Sequence, residues 1–92
     1  MNLLETIHNY NSKYPDNKIS LEGYTLLCMI RAAQNKGAEF TMTNEQLTYY
    51  LLSSEKTVRN TINRLCEAGF ISKKRIKNRR ALIYNIQQHI DI

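Results

Sequence analysis

The side chains best suited to chemistry in this chain are cations, and they crowd toward one end. Thirteen of the 92 residues are Lys or Arg and eight are Asp or Glu, for a net charge of +5. Residues 1–54 hold four cations against five acids, while residues 55–92 hold nine cations against three acids. The nine are Lys56, Arg59, Arg64, Lys73, Lys74, Arg75, Lys77, Arg79 and Arg80. Ammonium and guanidinium groups neutralise phosphates, and Asn60 and Asn63, interleaved among the first three cations, can donate to and accept from base edges. A basic half on a near-neutral half is the charge asymmetry expected of a polyanion binder, and DNA is the expected partner. A basic surface kept only for solubility is the alternative; it is disfavoured because the charges fall on consecutive elements.

Other chemistries find little support. Acids are dispersed, neither His8 nor His89 has a nucleophile beside it, and no glycine-rich phosphate loop is present. A chain of this length has little room for both a core and an enclosed cavity, so an enzyme is not expected, except as a non-catalytic subunit of one. Cys28 and Cys66 lie in apolar helical patterns with no metal spacing and are expected as reduced thiols. No metal or cofactor is implied. The N-terminal "MNLLETIHNY" lacks the features of a signal peptide and no window reaches the length of a membrane span, so the expected location is cytoplasmic.

The elements that must carry these residues follow from periodicity. Leu3, Leu4 and Ile7, with Tyr10 or Tyr14, predict a short amphipathic helix over residues 2–12, broken at Pro15-Asp16-Asn17. Its apolar stripe is too short to hold an isolated helix. It must cover the chain's own core, meet its copy in a dimer, or dock on a partner. Ser20 is the expected N-cap of a second helix, apolar nearly all round at "YTLLCMIRAA" and stopped at Gly37. "AEFTM" suits a brief strand, with Phe40 and Met42 on one side. Thr43 and Gln46 form a capping box for a third helix, whose Leu47, Tyr50 and Leu51 share a face. Ser54 caps a fourth helix that runs to Ala68 and ends at Gly69. On it Val58, Ile62 and Leu65 make an apolar stripe, with Lys56, Asn60 and Asn63 opposite and Arg59 and Arg64 beside them. "FISKKRI" and "ALIYNI", joined by Lys77–Arg80, predict a β-hairpin, with Asn78 suited to the turn. Tyr24, Tyr50 and Tyr84 are expected in the core, and Tyr49 as an exposed platform on which a base could stack.

Two helices joined by a short turn, the second with aliphatics inward and polar donors outward, make a helix-turn-helix. Here "MTNEQLTYYLLSSEKTVRNTINRLCEAGFISKK" resembles the winged helix-turn-helix family. The likeness lies in a Leu in the first helix, a Ser-x-x-Thr-Val start to the second, and a Leu-x-x-x-Gly-aromatic-Ile exit. It covers residues 20–86 and implies a mainly α fold with a small β-hairpin, a single domain over 1–92 with residues 1–14 as an added N-terminal helix. It also implies a DNA interface in which Lys56, Arg59, Asn60, Asn63 and Arg64 face a groove. The hairpin cations Lys73, Lys74, Arg75, Lys77, Arg79 and Arg80 would follow the backbone as a wing. The sequence departs from the pattern at Thr48, Leu52 and Ser53. The family often has Gly where Leu52 stands, so a turn longer or differently shaped than the common one is expected.

"LEGYTLLCMIRAAQNKG" and "FTMTNEQLTYYL" are similar to winged-helix proteins from replication modules of plasmids, phages and chromosomal cassettes in low-GC Gram-positive bacteria. Small members of that group sit beside a polymerase-type primase. This resemblance implies a DNA-binding accessory to replication or priming on a mobile genetic element, working with a replication enzyme. A sequence-specific, duplex-binding transcriptional regulator, acting as a homodimer, is the alternative, and a protein–protein interaction module is a second. Leu3, Leu4 and Ile7 are the candidate contacts for a partner or a dimer.

Overall fold

The computed structural model describes residues 3–13 and 18–87, with backbone alone at residues 3, 4 and 6. The elements run α1 (Leu3–Lys13), α2 (Leu21–Asn35), β1 (Phe40–Met42), α3 (Asn44–Leu51), α4 (Glu55–Glu67), β2 (Ile71–Arg75) and β3 (Leu82–Ile86). Among the described residues the fold is mixed α/β: four helices and a three-stranded antiparallel sheet in the order β1-β3-β2. The expected hairpin is thus two strands of a larger sheet, because β1 pairs with β3 from Phe40↔Tyr84 to Met42↔Leu82. The expected Pro15 turn, Tyr14 and His89 lie outside the described residues.

The helix starts are built by local hydrogen bonds that side chains supply to orphan backbone donors. Ser20 Oγ accepts from Gly23 N, and Ser54 Oγ accepts from Thr57 N. At α3 both halves of the capping box are made, Thr43 Oγ1 accepting from Gln46 N and Gln46 Oε1 accepting from Thr43 N. Gly69, at φ +80°, ends α4 in the left-handed region and turns the chain so that Phe70 N bonds back to Leu65 O.

α2 is the hub. Tyr24, Leu26, Leu27 and Ile30 are buried, and the helix touches α1, α3, α4, β1 and β3. A side chain at Gly23 would crowd Ile19 and the capping Ser20 at 3.3 Å and meet Leu65 of α4 at an ordinary 3.6 Å, so its bare Cα serves the tight start of α2. Ile7 of α1 is 8% exposed and belongs to this core, and Tyr10 packs edge-on against Phe70 at 6.0 Å. Of the three residues proposed for a partner or dimer, Ile7 therefore covers the chain's own core. The side chains of Leu3 and Leu4 lie outside the described residues. Asn11 latches α1 to the start of α2: its amide donates to Ile19 O (2.9 Å) and its carbonyl accepts from Ile19 N (2.6 Å).

Two expectations are corrected. Leu52 does not lengthen the turn; it adopts the left-handed conformation itself (φ 51°, ψ 41°), and only Leu52, Ser53 and Ser54 separate α3 from α4. Its side chain is 91% exposed, so the backbone strain is not compounded by a buried clash, and Ser53 N still bonds to Thr48 O. Tyr50 is not core: it is 54% exposed. On so short a helix the core is reached by Leu47 and partly by Leu51, one residue beyond Tyr50, which turns Tyr50 onto the flank.

Candidate nucleic-acid interface

Helix α4 buries Val58, Thr61, Ile62 and Leu65, a wider stripe than the three aliphatics alone. Those four fix the helix phase, and Lys56, Asn60 and Asn63 follow on the opposite, exposed side. Arg59 lies on one flank, where its guanidinium meets Glu55 at 3.3 Å one turn earlier. Arg64 lies on the other flank, in a shallow groove between α4 and the start of α2 that is also lined by Ser20, Glu22, Asn60, Asn63 and Glu67. Both asparagines thus reach one polar groove, and the carboxylates of Glu22 and Glu67 stand with Arg64 along it.

The hairpin cations divide between the two faces of the sheet. Residues directly opposite on paired strands share a face, and side chains alternate along each strand. Ile71, Lys73 and Arg75 pair with Ile86, Tyr84 and Leu82, so Lys73 and Arg75 extend the same face whose inner part is buried. Lys74, opposite Ile83, points from the other face. Lys77 and Arg79 occupy the exposed loop, where Asn78 takes the positive φ (64°) that its turn requires and Arg79 N bonds to Ile76 O.

Lys73, Arg75 and Arg80 come together with the starts of α3 and α4 around an open cleft of about 480 Å³, lined also by Thr43, Glu45, Glu55 and Leu82. Arg80 and Glu45 approach to 3.9 Å across it, both almost fully solvent-exposed. An exposed pair of this kind contributes little and is readily exchanged for another anion. Two of the predicted binding cations, Arg59 and Arg80, are thus partnered by acids in the free protein. The i, i+4 spacing of Glu55 and Arg59 makes the first pair legible in the sequence. The second, between residues 35 positions apart, has no such signal.

Burial pushes the Cys66 thiol up; the Lys73 ammonium pulls it back and Glu67 adds to the rise. Cys28 and Cys66 are both free and half-buried. Tyr84 is fully buried edge-on to Phe40, and its hydroxyl has no hydrogen-bond partner among the described residues. Burial first, with Cys66 contributing, pushes its phenol up to about 12. Tyr49 is 76% exposed and meets Tyr50 nearly perpendicularly, ring centroids 5.4 Å apart.

Comparison of the chain with protein-family models, with curated proteins and with solved structures finds no match. Among the described residues, no helix is long and apolar enough to cross a membrane, and no three metal-ligating side chains cluster.

Proposed function

We propose that this protein is a winged helix-turn-helix DNA-binding protein that presents α4 to a groove and the β2–β3 hairpin as its wing. The observation that carries this reading is the exposure of Lys56, Asn60 and Asn63 on the outer face of a helix whose first residue, Glu55, lines a cleft with Lys73, Arg75 and Arg80. Asparagines supply base-edge recognition, and the surrounding cations supply sequence-independent attraction to phosphates. In this reading Arg59 and Arg80 exchange their carboxylate partners for phosphates on binding.

Within that reading, an accessory role in replication or priming on a mobile element, beside a partner enzyme, is the assignment favoured by the sequence resemblance. The burial of Ile7 in the chain's own core removes part of the stripe that a symmetric dimer would need, which weighs against the homodimeric regulator. The enzyme partner would then supply the catalysis, with this chain contributing DNA contacts.

The test separates phosphate from base contacts. Replacing Arg79 and Arg80 by Ala should weaken binding to every duplex sequence and lower the salt-dependence slope by about 1–2. Replacing Asn60 or Asn63 by Ala should leave that slope unchanged and cost about 1–3 kcal/mol on the preferred sequence only. Titrations by fluorescence anisotropy at several salt concentrations measure both. Binding that ignores all four substitutions would remove α4 and the wing from the interface.

A further inference from the structure

Tyr49 is the most exposed aromatic ring among the described residues and contributes nothing to the core. Exposing so much ring area brings no packing gain, yet the ring is not loose, since Tyr50 stands edge-on against it at 5.4 Å and 82°. Its position matters more than its exposure. Tyr49 lies one helical turn after Glu45 on the same outer strip of α3, and Glu45 lines the cleft and reaches Arg80 across it. The backbone of Tyr49 thus lies about one helix pitch beyond Glu45, which lines a groove carrying Lys73, Arg75 and Arg80. Sites for single-stranded nucleic acid combine these two parts, a cationic groove that tracks phosphates and an exposed ring on which an unpaired base stacks. A duplex has no use for the ring, because its bases are stacked on one another.

We infer that Tyr49 is a stacking platform for an unpaired base of single-stranded DNA whose phosphates lie along the cleft between the hairpin and the starts of α3 and α4. The inference rests on the reading of that cleft as a polyanion site and adds unpaired DNA to the duplex as a strand it accepts. Tyr50 acts as a positioning residue, holding the ring of Tyr49 upright. Since stacking needs a π-face and not a hydroxyl, Phe or Trp at position 49 should serve, and Ala or Leu should not.

The full chain should be titrated with a labelled oligothymidylate, an abasic strand of the same length and a duplex. Tyr49→Ala should weaken oligothymidylate binding by about 5- to 150-fold, the equivalent of about 1–3 kcal/mol for one stacked base. It should leave the abasic strand and the duplex unaffected, and Tyr49→Phe should bind all three as the parent does. The chain contains no Trp, so Tyr49→Trp supplies a single reporter, whose emission should be quenched by oligothymidylate and not by the abasic strand. Unchanged oligothymidylate binding by Tyr49→Ala, with the parent binding DNA, would overturn the inference. A parent chain that binds neither strand nor duplex would instead overturn the nucleic-acid reading itself.

Discussion

At the scale of single residues, Tyr84 shows how a side chain can be well placed for packing and poorly placed for its polar atom. Its ring packs edge-on against Phe40 in the core, while its hydroxyl is buried with no hydrogen-bond partner among the described residues. A buried hydroxyl left unpaired costs about 1–3 kcal/mol, so Tyr84→Phe should raise stability by an amount in that range. The pH dependence checks the same point. The folded protein holds the phenol protonated up to about 12, whereas the unfolded chain ionises near 10. The unfolded state therefore sheds its proton first as pH rises, and the parent should lose stability relative to Tyr84→Phe between pH 10 and 12. Denaturant melts across that window read the difference directly, and a constant gap would show that the phenol is not held neutral. That Tyr84 belongs to the core was legible from its apolar neighbours, but the orphaned hydroxyl was not, because it depends on what the other elements bring near it.

At the scale of elements, the sequence was legible wherever a local rule sufficed. Ser20, Thr43 and Ser54 cap their helices, Gly69 ends α4, and Val58, Ile62 and Leu65 point inward as their spacing requires. What failed were inferences in which a second element decides. The hairpin pattern could not reveal that the short strand at Phe40 adds to β3, and Tyr50 had the spacing of a core residue on a helix too short to bury it. The turn between α3 and α4 failed differently. Leu52 is a poor residue for a left-handed conformation, and the geometry imposes that conformation regardless, since α3 and α4 are each anchored independently to α2. A left-handed non-glycine residue costs about 1–2 kcal/mol, and glycine returns part of that gain through the entropy of the unfolded chain. Leu52→Gly should accordingly stabilise the protein by about 0.5–1 kcal/mol, visible as a melting temperature higher by roughly 2–8 °C. Leu52→Ala separates the causes: it should give little gain if backbone strain is responsible, and the same gain as Gly if the exposed side chain is.

At the scale of the whole molecule, the charge asymmetry between the chain's two parts was legible from composition, whereas its division between two surfaces was not. Alternation along β2 sends Lys73 and Arg75 toward the helices and Lys74 away from them, and folding sets Glu45 and Glu55 into the cleft beside the cations. These two acids oppose the field that would draw in a phosphate backbone, so they make the sharpest test of where the polyanion lies. If it crosses the cleft, Glu45→Gln frees Arg80 and removes a like charge from its path. Exposed pairs of this kind are worth about 0.2–1 kcal/mol, so affinity should rise by roughly 1.5- to 5-fold at low salt. The gain should fade as ionic strength rises, because charges this exposed are screened within about 8–10 Å at 0.1–0.15 M salt. Glu39→Gln serves as the control, since Glu39 is an exposed acid just before β1 that does not line the cleft. Both substitutions change the net charge by the same amount, so equal gains would mean a diffuse attraction with no defined path. A gain confined to Glu45→Gln would place the polyanion across the cleft, between the wing and the two helix starts.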